Sequence, residues 1–445
     1  MPFKNITMVD NMEDRLRIAK TASLTLANTS STKRNLGLEA MAQCLDVNRA
    51  KVFKANDLDV SNAERDGVPQ ALVKRLKVTD DKMEDMVKGI RSVIGLPEMI
   101  GCTNFCRRLD DDLDLYQICS PIGMIGVIFE SRPDVIPQIL SLCLKTGNGV
   151  VFKGGSEAIE TNRALFNLMM QSLSEVGIET SSFVMLETRE DIQMLLGMDA
   201  YVDLLIPRGS NEFVRYIQDN TRIQVLGHSS GICHIFVDSD ADLTLAKKVI
   251  LDSKIQYPAA CNAVETVLIH REIASVAIPT IVSTCQDANV EVRLDEDAMR
   301  CFSGSAPMAT EEDWDTEYND MVLSIRTVDD IDEAISFINA HGSHHTDAII
   351  TDNMETERRF VRYVDSADVF VNASTRFADG FRFGMGAEVG ISTNKIHARG
   401  PVGIEGLVTY KYVLKGNGHV VRDYVGKDAR PYRHEACDKK YELGQ

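Results

Sequence analysis

No stretch of the sequence approaches the roughly 20 consecutive apolar residues that a membrane-spanning helix needs, so nothing in it points into a bilayer. Its ten cysteines include no CxxC pair. A chain of this size has little need of disulfides, so most of them are expected to be buried thiols that act as small hydrophobes. Positive charge is in deficit, 48 Lys and Arg against 66 Asp and Glu, for a net charge of -18. That balance repels a phosphate backbone or an anionic lipid surface, which excludes nucleic acid and membrane as partners. Any anionic ligand must be held by local groups. The opening MPFKNITMVDNMEDRL lacks the apolar core of a secretory signal, and a cytoplasmic protein is expected.

What is present is ordinary globular material, 44% apolar and 26% charged over 445 residues, enough for two or three domains. Apolar spacings of three and four predict helices in Met12 to Leu26 and Ala71 to Ile94. Beyond Leu113 the pattern turns α/β. The apolar run from Pro121, PIGMIGVIFE, reads as a buried strand. Asn148 to Lys153 reads as another, closed by Gly154 and Gly155 before a helix that Ser156 can cap. Tyr201 to Ile206, the turn Pro207-Arg208-Gly209-Ser210 and a following helix repeat the theme, which predicts a parallel, doubly wound sheet. The strand His234 to Val237 and an amphipathic helix to about Ile255 lead into a second domain. Val408 to Leu414 reads as a strand that can pair with Leu113 to Ile118. Gly416-Asn417-Gly418 reads as a hairpin turn leading to His419-Val420-Val421. The charged, Pro-interrupted end reads as a loosely held tail.

Among candidate sites, Cys261 sits in YPAACNA, a loop of Pro and small residues directly before the strand Ala263 to Ile269. A nucleophilic thiolate needs such a perch, with exposure and nearby positive charge or amides. Spacing alone favours another buried core cysteine. The turn Lys153-Gly154-Gly155-Ser156 could present helix amides to a phosphate or ribose, although sterics can account for its glycines equally well. Arg208-Gly209-Ser210 reads the same way. Glu130-Ser131-Arg132 follows a strand end, where a guanidinium can clamp a carboxylate or phosphate; Arg376, His397 and Arg399 add further cationic turns. His341, His344 and His345 lack a Cys or carboxylate at ligand spacing and read as a loop, so no metal is expected.

The segment DSKIQYPAACNAVETVLIHRE resembles the nucleophile region of the γ-glutamyl phosphate reductase family, within the aldehyde dehydrogenase superfamily. Blocks such as PIGMIGVIFESRPDVIPQ, LKTGNGVVFKGGSEA, DLLIPRGSNEFVRYI and VNASTRFADGFRFGMGAEVGISTNKIHARGPVG resemble the same family in the same order. The resemblance implies an aldehyde dehydrogenase-like α/β fold: a Rossmann-type cofactor domain (1–102 and 122–237), a catalytic domain (238–403), an oligomerisation hairpin (103–121 and 404–425) and a tail (426–445). It implies NADPH-dependent reduction of L-glutamyl 5-phosphate to the 5-semialdehyde, through a thioester on Cys261 with Asn262 or nearby amides as oxyanion donors. Lys153, Gly154, Ser156, Glu157, Gly209, Ser210 and Glu317 are implied at the cofactor. Arg132 stands where the superfamily places its oxyanion asparagine, which implies Glu130, Ser131, Arg132, Ser374, Arg376 and Arg399 at the substrate. The ELGG glutamate of oxidising members, which activates water, is replaced by LGHSSG, with His228 near its place. A homo-oligomer, dimer or tetramer, and a separate glutamate 5-kinase that supplies the acyl phosphate are the implied partners. An aldehyde-oxidising dehydrogenase and a non-catalytic member of the fold stay open as alternatives.

Overall fold

The computed structural model describes residues 12–188 and 190–443, so the opening segment 1–11 and the last two residues of the tail lie outside the described residues. Two parallel sheets and a four-stranded antiparallel sheet organise the described residues, together with a two-stranded antiparallel sheet of Gly390–Ser392 and Gly400–Val402. The first has the order Phe183–Leu186, Gly149–Gly154, Met124–Phe129, Leu204–Arg208 and Gln224–Val225, with every pairing parallel. Met124–Phe129 at its centre is buried at every position. It is an unbroken apolar run because helices cover both faces of the sheet.

The second sheet runs Glu291–Leu294, Val322–Val328, Val264–His270, Cys233–Val237, Thr346–Ile350 and Asp368–Val371, again all parallel. Cys233–Val237 thus pairs within the second sheet, although it lies before the boundary expected at residue 237. Its backbone pairs with Val264–His270 and Thr346–Ile350, and that pairing outweighs the run of the sequence. Among the described residues, no helix is long and apolar enough to cross a membrane.

The four-stranded antiparallel sheet joins Val408–Lys415, Leu113–Pro121, Thr103–Asp110 and Glu435–Cys437. The pairing of Val408–Lys415 with Leu113–Pro121 is as the sequence predicts. Two expectations fail here. Gly416-Asn417-Gly418 leads to no return strand, and Val421–Tyr424 forms a 3-10 turn instead. The tail is held in place: Glu435–Cys437 pairs with Thr103–Asp110, and Cys106 and Cys437 form a disulfide. Spacing could not reveal that bond, because its two cysteines are 331 residues apart.

Helices Met12–Ala27, Ser31–Val47, Arg49–Arg65, Gln70–Leu76 and Asp80–Ile94 pack around the first sheet. The single helix expected between Ala71 and Ile94 is two helices, for a local reason. Buried Asn56 donates to the Leu76 carbonyl at 3.0 Å and accepts from the Val78 amide at 2.8 Å. The chain can therefore leave one helix and enter the next, where the Thr79 side chain caps the new N-terminus. Asn56 also donates to Thr161 Oγ1 at 3.2 Å, which ties this break to the helix Ile159–Glu175. Asn56→Ala leaves these buried partners unsatisfied and is expected to destabilise the fold by about 3 kcal/mol; a urea unfolding midpoint equal to that of the wild type refutes this.

Candidate active site

The helix Leu243–Ile255 begins at Asp242, whose carboxylate accepts from the amides of Thr244 and Leu245. It delivers the chain into the loop that carries Cys261, and the strand Val264–His270 carries it away. Cys261 is a free, half-buried thiol. Its backbone is held from several sides. A Cβ added at Gly231 would lie 2.5 Å from Cys261 Cα and 2.6 Å from its carbonyl carbon, so the backbones of two loops touch there. The Cys233 thiol donates to the Cys261 carbonyl at 3.3 Å. Burial pushes that thiol well above its ordinary value, so Cys233 is a structural neighbour and no rival nucleophile.

Cationic and imidazole groups lie around Cys261. Arg208 and Arg376 are both near enough for a charge on Cys261 to act on them. Arg208 ends the strand Leu204–Arg208 and donates to the Val389 carbonyl at 2.9 Å. Burial pulls its guanidinium below the ordinary value, and neighbouring Arg132 adds to that effect. Arg376 donates to Gln256 at 2.9 Å and lies over the Tyr257 ring, so the loop before Cys261 aims it. His228 and His345 each place a ring nitrogen within 4.8 Å of the sulfur and of one another. Their rings meet edge to face with centroids 4.8 Å apart. Burial lowers the His228 imidazole below its ordinary value, with Arg208 acting in the same sense, so it is neutral at pH 7.

A cleft of about 710 Å³ opens past the ends of the strands Met124–Phe129, Gly149–Gly154 and Leu204–Arg208, lined by Glu130, Arg132, Ser156, Glu157, Gly209 and Ser210 among others. Its volume lies within the range of small-molecule sites. Ser210 caps the helix Asn211–Asp219, whose free amides face an approaching anion. Gly209 is a close approach: a Cβ there would meet Glu130 Oε2 and Phe213 at 2.6 Å each. Glu317 bonds to Asn211, the first residue of that helix, and its charge reaches His228, so it links the cleft to the thiol. Lys153 is buried at the end of its strand and bonds to the Gly154 carbonyl. Ser156 opens a 3-10 turn, and the expected side-chain cap of the next helix is absent.

Several residues expected at the substrate are already committed elsewhere. The Ser131 amide and hydroxyl both donate to Glu157, at 2.6 and 2.8 Å, and Ser131 is buried. Glu130 accepts from the Ser210 amide at 3.2 Å, so it braces the cofactor turn. Arg132 lines the cleft with Glu130, nearer the expected cofactor groups than the sequence reading placed it. Ser374 is buried, accepts from Ser253 at 3.1 Å and caps the turn Thr375–Phe377. Arg399 donates to Asp365 through its backbone and carboxylate oxygens. Asn262 is buried with its amide donating to the Ala378 carbonyl at 2.8 Å, which anchors the nucleophile loop. Among the arginines expected at the substrate, Arg376 lies near enough to Cys261 for a charge there to act on it.

Sequence reasoning missed Arg208 as a neighbour of the thiol and passed over His345. The strand-end position of Arg208 was a usable signal, since the ends of parallel strands are where sites form. Nothing local marks His345, because the second sheet brings it to Cys261 from far along the chain.

The aldehyde dehydrogenase family model matches residues 7–316. A gamma-glutamyl phosphate reductase of Methanococcoides burtonii is 55% identical over 442 residues, covering 97% of this chain and 98% of that protein. One from Pelotomaculum thermopropionicum is 50% identical, covering 97% and 99%. The crystal structure of the Thermotoga maritima gamma-glutamyl phosphate reductase superposes with a TM-score of 0.89 at 39% identity, covering 92% of this chain and 99% of that one.

The contact at Gly231 makes a direct prediction. Its would-be neighbour is backbone, which cannot swing aside, so Gly231→Ala is expected to cost about 1–3 kcal/mol and to shift the Cys261 loop. Alkylation of Cys261 by iodoacetamide then slows; a wild-type alkylation rate together with wild-type stability contradicts the contact.

Proposed function

Because the chain belongs to the aldehyde dehydrogenase family and, within it, to the gamma-glutamyl phosphate reductases, we propose that it reduces L-glutamyl 5-phosphate to L-glutamate 5-semialdehyde and phosphate, with NADPH, through a thioester on Cys261. The observation that carries this reading is a free, half-buried thiol with two imidazole nitrogens within 4.8 Å and two arginines near enough to feel its charge. The loop that approaches it, VLGHSSG, contains no carboxylate. Thiolate and phosphate are both stabilised by such cations. With no carboxylate on that loop to activate water, the thioester exchanges with phosphate instead of being hydrolysed.

The sulfur of Cys261 bonds to the acyl carbon, the carbon–oxygen bond to phosphate breaks, and phosphate leaves past Arg208 and Arg376. Negative charge that develops on the acyl oxygen is met by backbone amides of the Cys261 loop. When bound, the nicotinamide supplies the hydride that reduces the acyl carbon. The carbon–sulfur bond then breaks, and the aldehyde leaves with Cys261 regenerated. Lys153, Gly154, Ser156, Glu157, Gly209, Ser210 and Glu317 would hold the dinucleotide. The helix amides behind Ser210 suit a pyrophosphate. Arg65 and Arg75 line the same cleft, which supports a cofactor that carries an extra phosphate. A dimer or tetramer is supported by Tyr410, Tyr412 and Leu414, which stand exposed on the antiparallel sheet. A separate glutamate 5-kinase is the class of enzyme that would supply the labile acyl phosphate.

Cys261→Ala is expected to abolish turnover while NADPH still binds; measurable turnover in that variant removes the nucleophile. Run in reverse from the semialdehyde and NADP, the wild type is expected to need phosphate or arsenate, and turnover without either anion defeats the acyl phosphate reading. Arg75→Ala is expected to raise the KM for NADPH about tenfold and leave that for NADH unchanged, as steady-state kinetics with both cofactors will show.

A further inference from the structure

Thioester formation must dispose of the proton on the Cys261 sulfur. Resting on the reading of Cys261 as nucleophile, we propose that His345 is the catalytic base that takes this proton, with Thr346 and Asp368 as positioning residues that hold its tautomer. His345 is fully buried, and its Nε2 has no hydrogen-bond partner. An orphaned buried ring nitrogen is costly; the Cys261 sulfur lies within 4.8 Å of a His345 ring nitrogen, outside hydrogen-bond contact at rest, and must draw closer to give up its proton. Its other nitrogen, Nδ1, lies 2.8 Å from Thr346 Oγ1, which in turn donates to Asp368 Oδ2 at 3.5 Å. A hydroxyl that donates to the carboxylate accepts from Nδ1–H, which leaves the lone pair on Nε2. The arrangement is nucleophile, base and orienting acid, the last acting through a hydroxyl.

His228 is the other imidazole in reach; burial and Arg208 oppose its protonation, while the Ile391 carbonyl, Glu317 and Glu388 favour it. Its Nδ1 lies 2.8 Å from that neutral carbonyl. The imidazolium that forms at His345 has a carboxylate behind its hydroxyl partner. A dication held by the same Cys and two His would face Arg208 and Arg376, so proton transfer suits this corner better than a metal.

The proton balance is closed. The S–H bond breaks as the S–C bond forms; the proton passes to His345 Nε2 and leaves on the departing phosphate as hydrogen phosphate. After reduction, the expelled thiolate takes back one proton from solvent by the same route. The groups that bear on this pH response are Arg208 and Arg376 at the sulfur and His228 and Thr346 at His345. Asp368, whose carboxyl burial raises to about 6, is itself acted on by Arg399 and Glu388.

The test is the rate of Cys261 alkylation by iodoacetamide against pH, followed by peptide mass spectrometry on the full chain with no substrate present. His345→Gln is expected to slow alkylation near neutrality roughly hundredfold, with a pH profile that reverts to that of an unassisted thiol. Added imidazole is expected to restore part of the rate in His345→Ala, and His228→Gln to lose much less. A His345→Gln rate and profile equal to those of the wild type overturn the proposal, as does a larger loss in His228→Gln. Should the variants fail to fold, the wild type still decides: alkylation at neutral pH no faster than that of free cysteine overturns it. Because no acyl phosphate enters this assay, its outcome is separate from that of the Cys261→Ala and phosphate-dependence experiments.

Discussion

The backbone contact between Gly231 and Cys261 indexes the rest of the site. It fixes the loop that enters the second sheet against the loop that leaves the helix Leu243–Ile255, and neither can move without the other. His228 rides on the first loop, the sulfur on the second. Arg208 comes from the first sheet and His345 from the second, so two separately built units meet at one atom. A contact between backbones suits this task, because its geometry does not depend on a rotamer.

The net charge of -18 makes the local electrostatics instructive. The protein as a whole repels anionic ligands, yet Arg208, Arg376 and Arg132 gather around the thiol and the cleft. Burial lowers the tendency of Arg208 and Arg376 to hold charge, and an arriving phosphate relieves that cost. The acidic surroundings do not cancel the cations, because a charge inside a low-dielectric corner acts over a few ångströms while exposed carboxylates are screened by water and salt.

Much of the architecture was legible in the sequence because parallel strands buried on both faces advertise themselves. Met124–Phe129 and Leu204–Arg208 are examples, each followed by turn residues. Cys261 could be picked out from its small-residue loop and the resemblance around it. The failures share a physical cause, which is long range. The allegiance of Cys233–Val237 is decided by pairing partners, the tail strand by an edge whose Cys106 lies 331 residues before Cys437, and His345 by sheet order. Ser131, Ser374 and Arg399 pose a different difficulty: each is polar and sits in a loop, and each already has a hydrogen-bond partner within the fold. Local sequence does not reveal whether a polar group is already satisfied.

The bond between Cys106 and Cys437 closes the polypeptide into a covalent ring that takes in both parallel sheets and the reactive sulfur. A protease that nicks any loop inside that ring opens it without separating the pieces, which stay joined until the sulfurs are reduced. The last strand is thereby bound to the edge it covers, leaving Val408–Lys415 as the longer free margin of the antiparallel sheet. Growth of that sheet by added strands is therefore polar, with one side sealed and the other open.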